Sequence, residues 1–559
     1  MVWSQTYDPL NNAWLSTILA SLPVIVLLGA LGVFHMKAHV SALLALAVSL
    51  TCAILVFGMP ISMAAKTALL GAAFGLFPIG WIILNIIFLY RLTERLGLFK
   101  VLQESVSGIT DDRRLQLLLI AFCFGAFFEG AAGFGTPVAV TGAILIGLGF
   151  SPLAASGLSL IANTAPVAYG ALGSPVLALA AVTGLPLLDL SAMIGRQLPV
   201  FSVIVPFWLI MAFAGWRGTV QIWPAILVAG VSFAVPQFLV SNFHGPWLVD
   251  VVASLISMAS LTLFLKRWRP NTVWTTLDHR AIAAHSVGAA AAGEAATGPA
   301  KQSHPPAQVW RAWLPWIILS VVVFLWGLPI VKSFLDGISI LRFPIDGLNN
   351  MIQRVPPVVP KPQTEPAVYI FNWLSMTGTG ILISAVIAGK LIGASFKTMV
   401  EVYWDTLIRV RYSLLTIAAM LALGYTTRYS GLDATLGLAF AHTGILYPFF
   451  GTLLGWIGVA LTGSDTASNV LFGSLQRISS EQLGLNPILM GAANSSGGVM
   501  GKMIDAQSIV VAATATNYHG QEGLILRYVF LHSIALASLV GILVTLQAYA
   551  WPFVAMVVH

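Results

Sequence analysis

Residues 13–34 read AWLSTILASLPVIVLLGALGVF, with no charged side chain in the run. A helix rises 1.5 Å per residue, so a stretch of this length can cross the ~30 Å hydrocarbon layer of a bilayer. Comparable runs lie near 38–57, 67–91, 198–214, 222–243, 247–265, 313–330, 371–391, 407–427 and 528–550. Across the 559 residues only 8% are charged, against about 25% in soluble domains. A water-soluble fold could not cover its surface with this composition. The chain therefore reads as an all-α integral membrane protein whose partner is the lipid bilayer.

The net charge of +7 is explained by membrane topology rather than by nucleic acid, because loops facing the cytoplasm collect Lys and Arg. Cys52 and Cys123 both sit in apolar runs, which implies neither a disulfide nor a thiolate metal site. The opening residues MVWSQTYDPLNN hold no Lys or Arg, unlike a cleaved signal peptide, so the first run is expected to stay as a membrane helix. GAAGFG (130–135) lacks the strand–turn–helix context of a dinucleotide site. No HExxH motif and no Ser/His/Asp set at depth suggests an enzyme, a cofactor or a catalytic metal.

Two further regions, 115–184 and 447–517, are apolar but repeatedly broken. The first contains EGAAGFGTPVAV, residues 129–140. A glutamate, a glycine-rich turn and a proline neither continue a helix nor tolerate hydrocarbon. Such backbone survives at membrane depth only when buried in protein or lining water. Each region is read as a re-entrant hairpin followed by one discontinuous helix, which brings the total to about 12 crossings. The loops at Lys37, Arg91 to Arg114, Arg217, 266–312, Lys390 to Arg411 and Arg527 then share one face. That face holds 18 of the 27 Lys and Arg residues, the other holds 8, and Lys502 lies within the membrane. The richer face is cytoplasmic by this asymmetry, and both termini are predicted to be periplasmic. Between Lys266 and Arg311 the Ala/Gly-rich composition predicts a disordered loop. The stretch 331–367 is a second connection that does not span, with a short interfacial helix expected over 336–353.

The two broken regions resemble each other. Leu148-Gly149-Phe150-Ser151-Pro152 matches Leu483-Gly484-Leu485-Asn486-Pro487, and Ala162-Asn163-Thr164 matches Ala493-Asn494-Ser495. The organisation that follows is a first repeat over 1–214, two linking helices over 215–266, a cytoplasmic loop over 267–312, and a second repeat over 313–559. Five crossings per repeat with two helices between them make the second copy enter from the opposite face. Inverted repeats with discontinuous helices are a recurring build of secondary transporters.

The breaks would lie at ANTAPVAYG (162–170) and ANSSGGVMG (493–501), opposite the hairpin tips EGAAGFGTP and TGSDTASN (462–469). Helix ends and free N–H groups meeting there would favour a small anion, hydrogen-bonded on more than one side. The candidate substrate-binding residues are Gly133, Gly135, Thr136, Asn163, Thr164, Ser464, Ser468, Asn469, Asn494, Ser495 and Lys502. Lys502 could pair with a substrate carboxylate, with Asp465 or with Asp505. Glu129, Asp465 and Asp505 are the candidates to carry a proton, because a carboxyl withdrawn from water holds its proton more readily. The same glycines could instead serve close helix packing, Glu129 could simply cap a helix, and the asparagines could only satisfy broken backbone.

FCFGAFFEGAAGFGTPVAVTGA (122–143), LIANTAPVAYGALG (160–173), GRQLP (195–199), VSNFHGP (240–246), LTGSDTASN (461–469) and AANSSGGVMGKM (492–503) resemble the lactate permease family, bacterial inner-membrane permeases for L-lactate, D-lactate and glycolate. The resemblance runs from WSQTYDP to LQAY at 546–549. It implies uptake of short 2-hydroxy monocarboxylates with protons. It also implies an ion-transporter-like architecture in which hairpins and broken helices slide against a scaffold. The chain departs from the family at Asp505-Ala506, where a serine–proline pair is usual, and in the loop 266–312. A sodium-coupled carboxylate transporter and a passive anion channel are the alternative readings of the same features.

Overall fold

In the computed structural model, residues 2–32, 34, 36–107, 109–131, 133, 136–274, 304–518 and 521–558 are described. Helices form over most of the apolar runs. Among the described residues eleven are long and apolar enough to cross a membrane, or twelve if Pro152–Ala162 and Val167–Thr183, bent by 64°, make one span. Three of them, Ile61–Arg95, Leu187–Gln221 and Phe396–Ser430, have 35 residues each. The first two are kinked at Phe77 and Gly215, while Phe396–Ser430 is about 52 Å of unbroken helix. It overshoots the hydrocarbon and carries Lys397 and Arg428 near its ends. The eleven include Arg113–Ala131 and Gly444–Thr462, which the sequence reading assigns to hairpin arms. They omit Thr377–Leu391, which at 15 residues is shorter than the predicted 371–391 because residues 368–372 are strand.

The order of elements runs through two similar series. The first is Ala13–Gly32, Ala38–Val56, Ile61–Arg95, a short helix Leu98–Ser107, the arms Arg113–Ala131 and Thr136–Gly147, the bent pair, and Leu187–Gln221. Trp223–Phe243 and Pro246–Arg267 follow. The second is Pro306–Gly327, Thr377–Leu391, Phe396–Ser430, Leu432–Ala441, the arms Tyr447–Thr462 and Asp465–Gln482, Pro487–Gly501 with Ala506–Ala515, and Glu522–Tyr549. The third helices of the two series cross in contact. A Cβ on Gly71 would lie 2.5 Å from the Leu421 carbonyl oxygen, and one on Gly75 2.8 Å from the Ala418 Cα. Only hydrogen fits there, which is how small residues let membrane helices touch.

Two connections differ from expectation. Residues 336–353 do not form one interfacial helix. A helix, Pro329–Ser339, ends where β-branched and aromatic residues take over. Ile340–Pro344 pairs antiparallel with Val368–Asn372. A second small sheet joins Trp3–Ser4, parallel to Ile352–Arg354, with Gln363–Glu365 antiparallel to the latter. The fold is therefore all-helical in its membrane part and capped by two short sheets. The loop expected over 267–312 is shorter, since Pro306–Gly327 begins before 313; residues 275–303 lie outside the described residues.

Charged side chains away from the site fall into two sets by the face to which the sequence assigns them. In one, Arg114 is fully buried. It pairs with Asp112 at 2.7 Å and donates to Gly218 O, Gln221 Oε1 and Thr272 O. Arg311 donates to Ile392 O, and His304 meets Glu104. In the other, Glu365 takes Arg354 at 2.5 Å and Arg428 at 3.0 Å. Lys66 donates to Asp346 O at 2.6 Å, and Arg196 to Met556 O at 3.0 Å. The positive-inside reading of the sequence assigns these two sets to opposite faces.

Candidate substrate site

The first hairpin turns where its glycines allow. Arg113–Ala131 ends at the glycine-rich stretch, Gly133 has φ of +58°, and Pro137 falls in the first turn of Thr136–Gly147. Gly135 lies outside the described residues, as does the side chain of Thr136. Glu129, in the last turn of the first arm, is buried and its Oε2 accepts from Asn163 Nδ2 at 3.0 Å. Gly170 permits this approach, because a Cβ there would sit 2.5 Å from Glu129 Oε1.

Asn163 closes the helix Pro152–Ala162. The chain then passes through a turn at Val167–Tyr169 and a left-handed run at Ala171, Leu172 and Gly173. This is the break predicted at 162–170, extended by three residues. Thr164 donates its hydroxyl to Ile161 O at 2.8 Å, inside the same turn.

The second hairpin turns at Gly463, with φ of +72°. Ser464 caps the helix that follows, accepting from Ala467 N at 3.3 Å. Asp465 is buried in that helix's first turn, and its Oδ2 accepts from Ser495 Oγ at 2.5 Å and Asn469 Nδ2 at 3.2 Å. Asn494 donates to Asn469 Oδ1 at 2.9 Å and accepts from Gln476 Nε2 at 3.2 Å. Ser468 donates to Gly455 O at 3.0 Å, across the hairpin.

The second break does not fall at 493–501. Helix Pro487–Gly501 runs unbroken through ANSSGGVMG, and the interruption lies at 502–505. The physical reason is the neighbouring helix. A Cβ on Gly497 would lie 2.3 Å from Thr452 O, one on Gly501 2.3 Å from Trp456 O, and one on Gly455 2.0 Å from Asn494 O. Here the glycines serve close packing rather than unwinding. Asp505 caps the outgoing helix, its Oδ1 accepting from Ser508 N at 2.8 Å. A serine at this position could cap the helix in the same way. The aspartate adds a charge, which meets Lys502 Nζ at 3.4 Å. Lys502 also donates to Gly463 O at 2.5 Å.

These parts converge. Asn469 Nδ2 donates to Pro175 O at 3.2 Å, which joins the second hairpin to the first broken helix. Ser156 and Thr516 share a hydrogen bond of 2.8 Å between the two broken helices. Lys502 acts electrostatically on both Glu129 and Asp465, and Glu129 on Asp465. Three buried polar atoms here have no hydrogen-bond partner among the described residues, Asn163 Oδ1, Asp465 Oδ1 and Ser496 Oγ, and Asp505 Oδ2 has only the Lys502 ammonium at ion-pair distance. Two of the helix N-termini expected to face a ligand are already capped by this chain's own Ser464 and Asp505. The ammonium of Lys502 is left as the principal positive group.

Two buried residues escaped the sequence reading. Gln476 bridges Asn494, Gly451 O and the Tyr447 hydroxyl, and no local pattern marks it. Asp250 left a signal, a lone acid in the apolar run 247–265. Near the end of that run it looks interfacial, yet it is 1% exposed.

The family model described as L-lactate permease matches residues 16–551. The chain belongs to the L-lactate permease family. It is 46% identical over 557 residues to "Glycolate permease GlcA" of Escherichia coli (strain K12), covering 99% of each chain. It is 44% identical over 566 residues to "L-lactate permease" of Bacillus subtilis (strain 168), covering 99% of this chain and 100% of the relative. The "L-lactate permease" of Salmonella typhimurium is 43% identical, with 98% of each chain covered. Two solved structures align less well: the Alcanivorax borkumensis YdaH transporter (15% identity, 88% of this chain and 90% of that one) and Neisseria gonorrhoeae MtrF (14%, 94% and 97%), each with TM-score 0.47. At that level neither likeness bears on the site.

A lactate permease family member moves a solute without altering it, so the cluster is read for binding and release. Lys502 supplies three N–H donors. Among the described residues Gly463 O accepts one, and Asp505 stands at ion-pair distance. The unpartnered oxygens of Asn163, Asp465 and Ser496 add acceptors and a hydroxyl. Together these groups offer a cation, acceptors and a hydroxyl to a small polar solute.

Proposed function

We propose that the chain is a proton-coupled symporter importing lactate and related short 2-hydroxy monocarboxylates such as glycolate across the bacterial inner membrane. The observation that carries the reading is the burial of Lys502, Glu129, Asp465 and Asn163 around two hairpin turns and two helix breaks tied by the hydrogen bonds of Asn163 to Glu129, Lys502 to Gly463 O and Asn469 to Pro175 O. The names of the relatives supply the substrate class.

In this reading the substrate carboxylate pairs with Lys502, near Asn163, Thr164, Asn494 and Ser495. The 2-hydroxyl bonds to Thr136, Ser464 or Ser468, beside Asn469 and the glycine turns at Gly133 and Gly135. Asn494 is bonded through both its side-chain oxygen and nitrogen, and the Ser468 hydroxyl donates to Gly455 O, whereas Asn163 keeps an unpartnered side-chain oxygen, which favours Asn163 among these contacts. A carboxyl among Glu129, Asp465 and Asp505 takes the proton. One proton per monoanion makes the cycle electroneutral.

The two similar series of elements support an inverted repeat, with 1–214 and 313–559 as its copies, 215–266 as the link and 267–312 as the cytoplasmic loop. The hairpins and broken helices, about 115–184 and 447–517, would be re-entrant and would move as a unit against the remaining helices. Both termini would face the periplasm. The test is radiolabelled lactate uptake into proteoliposomes under an imposed inward proton gradient, with choline replacing sodium as a control. The expected result is accumulation that collapses with a protonophore and ignores sodium. Uptake indifferent to the pH gradient would reject the coupling.

A further inference from the structure

The segment 245–250, GPWLVD, belongs to the helices that link the two series, yet its first turn reaches the site. A Cβ on Gly130, at the first hairpin tip, would lie 2.7 Å from the Asp250 Cβ. A Cβ on Gly173, in the first break, would lie 2.7 Å from the Pro246 Cβ. The turn Pro246–Leu248 and the start of Val249–Arg267 are thus wedged between tip and break.

Asp250 is 1% exposed, and neither of its carboxyl oxygens has a hydrogen-bond partner among the described residues. The groups that face it are Glu129 on the hairpin and Tyr169 on the turn 167–169. The Tyr169 hydroxyl is spent on Ser191 O at 2.7 Å. Lys502 and Asp505 act on Glu129. On its own segment, His244 bonds Phe324 O instead. Glu129 has the Asn163 amide as donor and Lys502 as a nearby cation, whereas Asp250 has neither. Burying an ionised carboxylate without a donor or a counter-charge is strongly unfavourable, and a second anion beside Glu129 would repel it.

We propose that Asp250, in place of Glu129, Asp465 or Asp505, carries the one coupled proton, and that the hairpin tip seats against it only when it is protonated. The inference rests on the proton-symport reading and adds a device to it. Ionised Asp250 would be both desolvated and repelled by Glu129, so Gly130 could not close on it. Protonated, it is neutral and the tip packs as seen. Closure of the loaded site then requires the proton, which is what ties proton movement to solute movement. Atoms balance simply: one proton binds the Asp250 carboxylate on one side of the membrane and leaves it on the other.

The test uses the full-length protein in proteoliposomes. Asp250→Asn imitates the protonated form, so the tip can close without a proton. Lactate accumulation driven by a pH gradient is expected to fall at least ten-fold relative to lactate–lactate exchange in the same vesicles, and that exchange to lose its pH dependence. An Asp250→Asn protein that still accumulates lactate under the gradient like the unmodified one overturns the proposal. Should the unmodified protein itself ignore the gradient, the symport reading fails first. If the variant transports nothing, labelling decides. A hydrophobic carbodiimide, which attacks protonated carboxyls, should modify Asp250 in the unmodified protein, less so as pH rises. Absence of that adduct at every pH also overturns it.

Discussion

Substituting Gly455 by alanine tests whether the glycines of the second broken region set the site's geometry. The added Cβ would lie 2.0 Å from the Asn494 carbonyl oxygen, whereas ordinary contact begins at 3.4 Å. Helix Tyr447–Thr462 must therefore retreat by the difference, about 1.4 Å. If the hairpin moves as a unit, two bonds across the gap stretch beyond hydrogen-bonding range: Ser495 to Asp465, now 2.5 Å, and Asn494 to Asn469, now 2.9 Å. Overpacking costs about 1–3 kcal/mol and each lost buried hydrogen bond about 1 kcal/mol. The sum, about 3–5 kcal/mol, is a large part of a typical stability. A misplacement near 1 Å also lowers turnover by roughly 100-fold. Lactate uptake in proteoliposomes and thermal unfolding in detergent are the two readouts. Gly29→Ala is the control, since nothing lies within 4 Å of a Cβ there, and it should match the unmodified protein. If Gly455→Ala matches it too in both readouts, close helix contact does not govern the site.

Replacing Asn163 by alanine removes the side-chain donor on Glu129. Uptake should drop by ~10-fold or more, about 1.4 kcal/mol, with membrane abundance unchanged on immunoblot; normal uptake places the site elsewhere. Lys502→Met removes the buried cation, so KM for lactate should rise by about ten-fold or more while glutamine or serine at Asp505 should affect KM less. Glu365 lies outside the membrane helices. Burial alone would push its carboxyl up, but Arg428 and Arg354 beside it hold it below the ordinary glutamate value of 4.5. Its stabilisation is therefore complete above that value and fades as pH falls through the lowered one. Glu365→Gln should cost about 3 kcal/mol at neutral pH and flatten the acid side of the melting-temperature profile; an unchanged profile refutes the ion-pair reading.

Much of the membrane architecture is legible residue by residue. Runs without charge announce helices because the bilayer leaves backbone no other partner. Gly133 and Gly463 mark the hairpin turns because both adopt left-handed backbone. What misled was chemistry that has two uses. A Gly/Ser run reads the same whether it unwinds a helix or lets two helices touch, and only the Thr452 and Trp456 carbonyls, far along the chain, decide which. Residues 340–344 could pass for an interfacial helix until Val368–Asn372 supplies a ladder partner. Gln476 acquires its place from packing between distant segments, so no local spacing points to it, whereas Asp250 shows as a lone acid in an apolar run but owes its burial to the same packing.

One small sheet constrains far more than its size suggests. Trp3 and Ser4 lie beside Ile352 and Gln353 in a parallel ladder, with Trp3 N donating to Met351 O at 2.8 Å and Gln5 N to Gln353 O at 2.9 Å. A hydrogen-bonded ladder cannot straddle a bilayer, so these segments stand on one shore. The chain must therefore traverse the lipid an even number of times between residues 5 and 351. If the pair of arms from 113 to 147 dips in and returns, the remaining helices give eight passages; were only one arm to traverse, the ladder could not close.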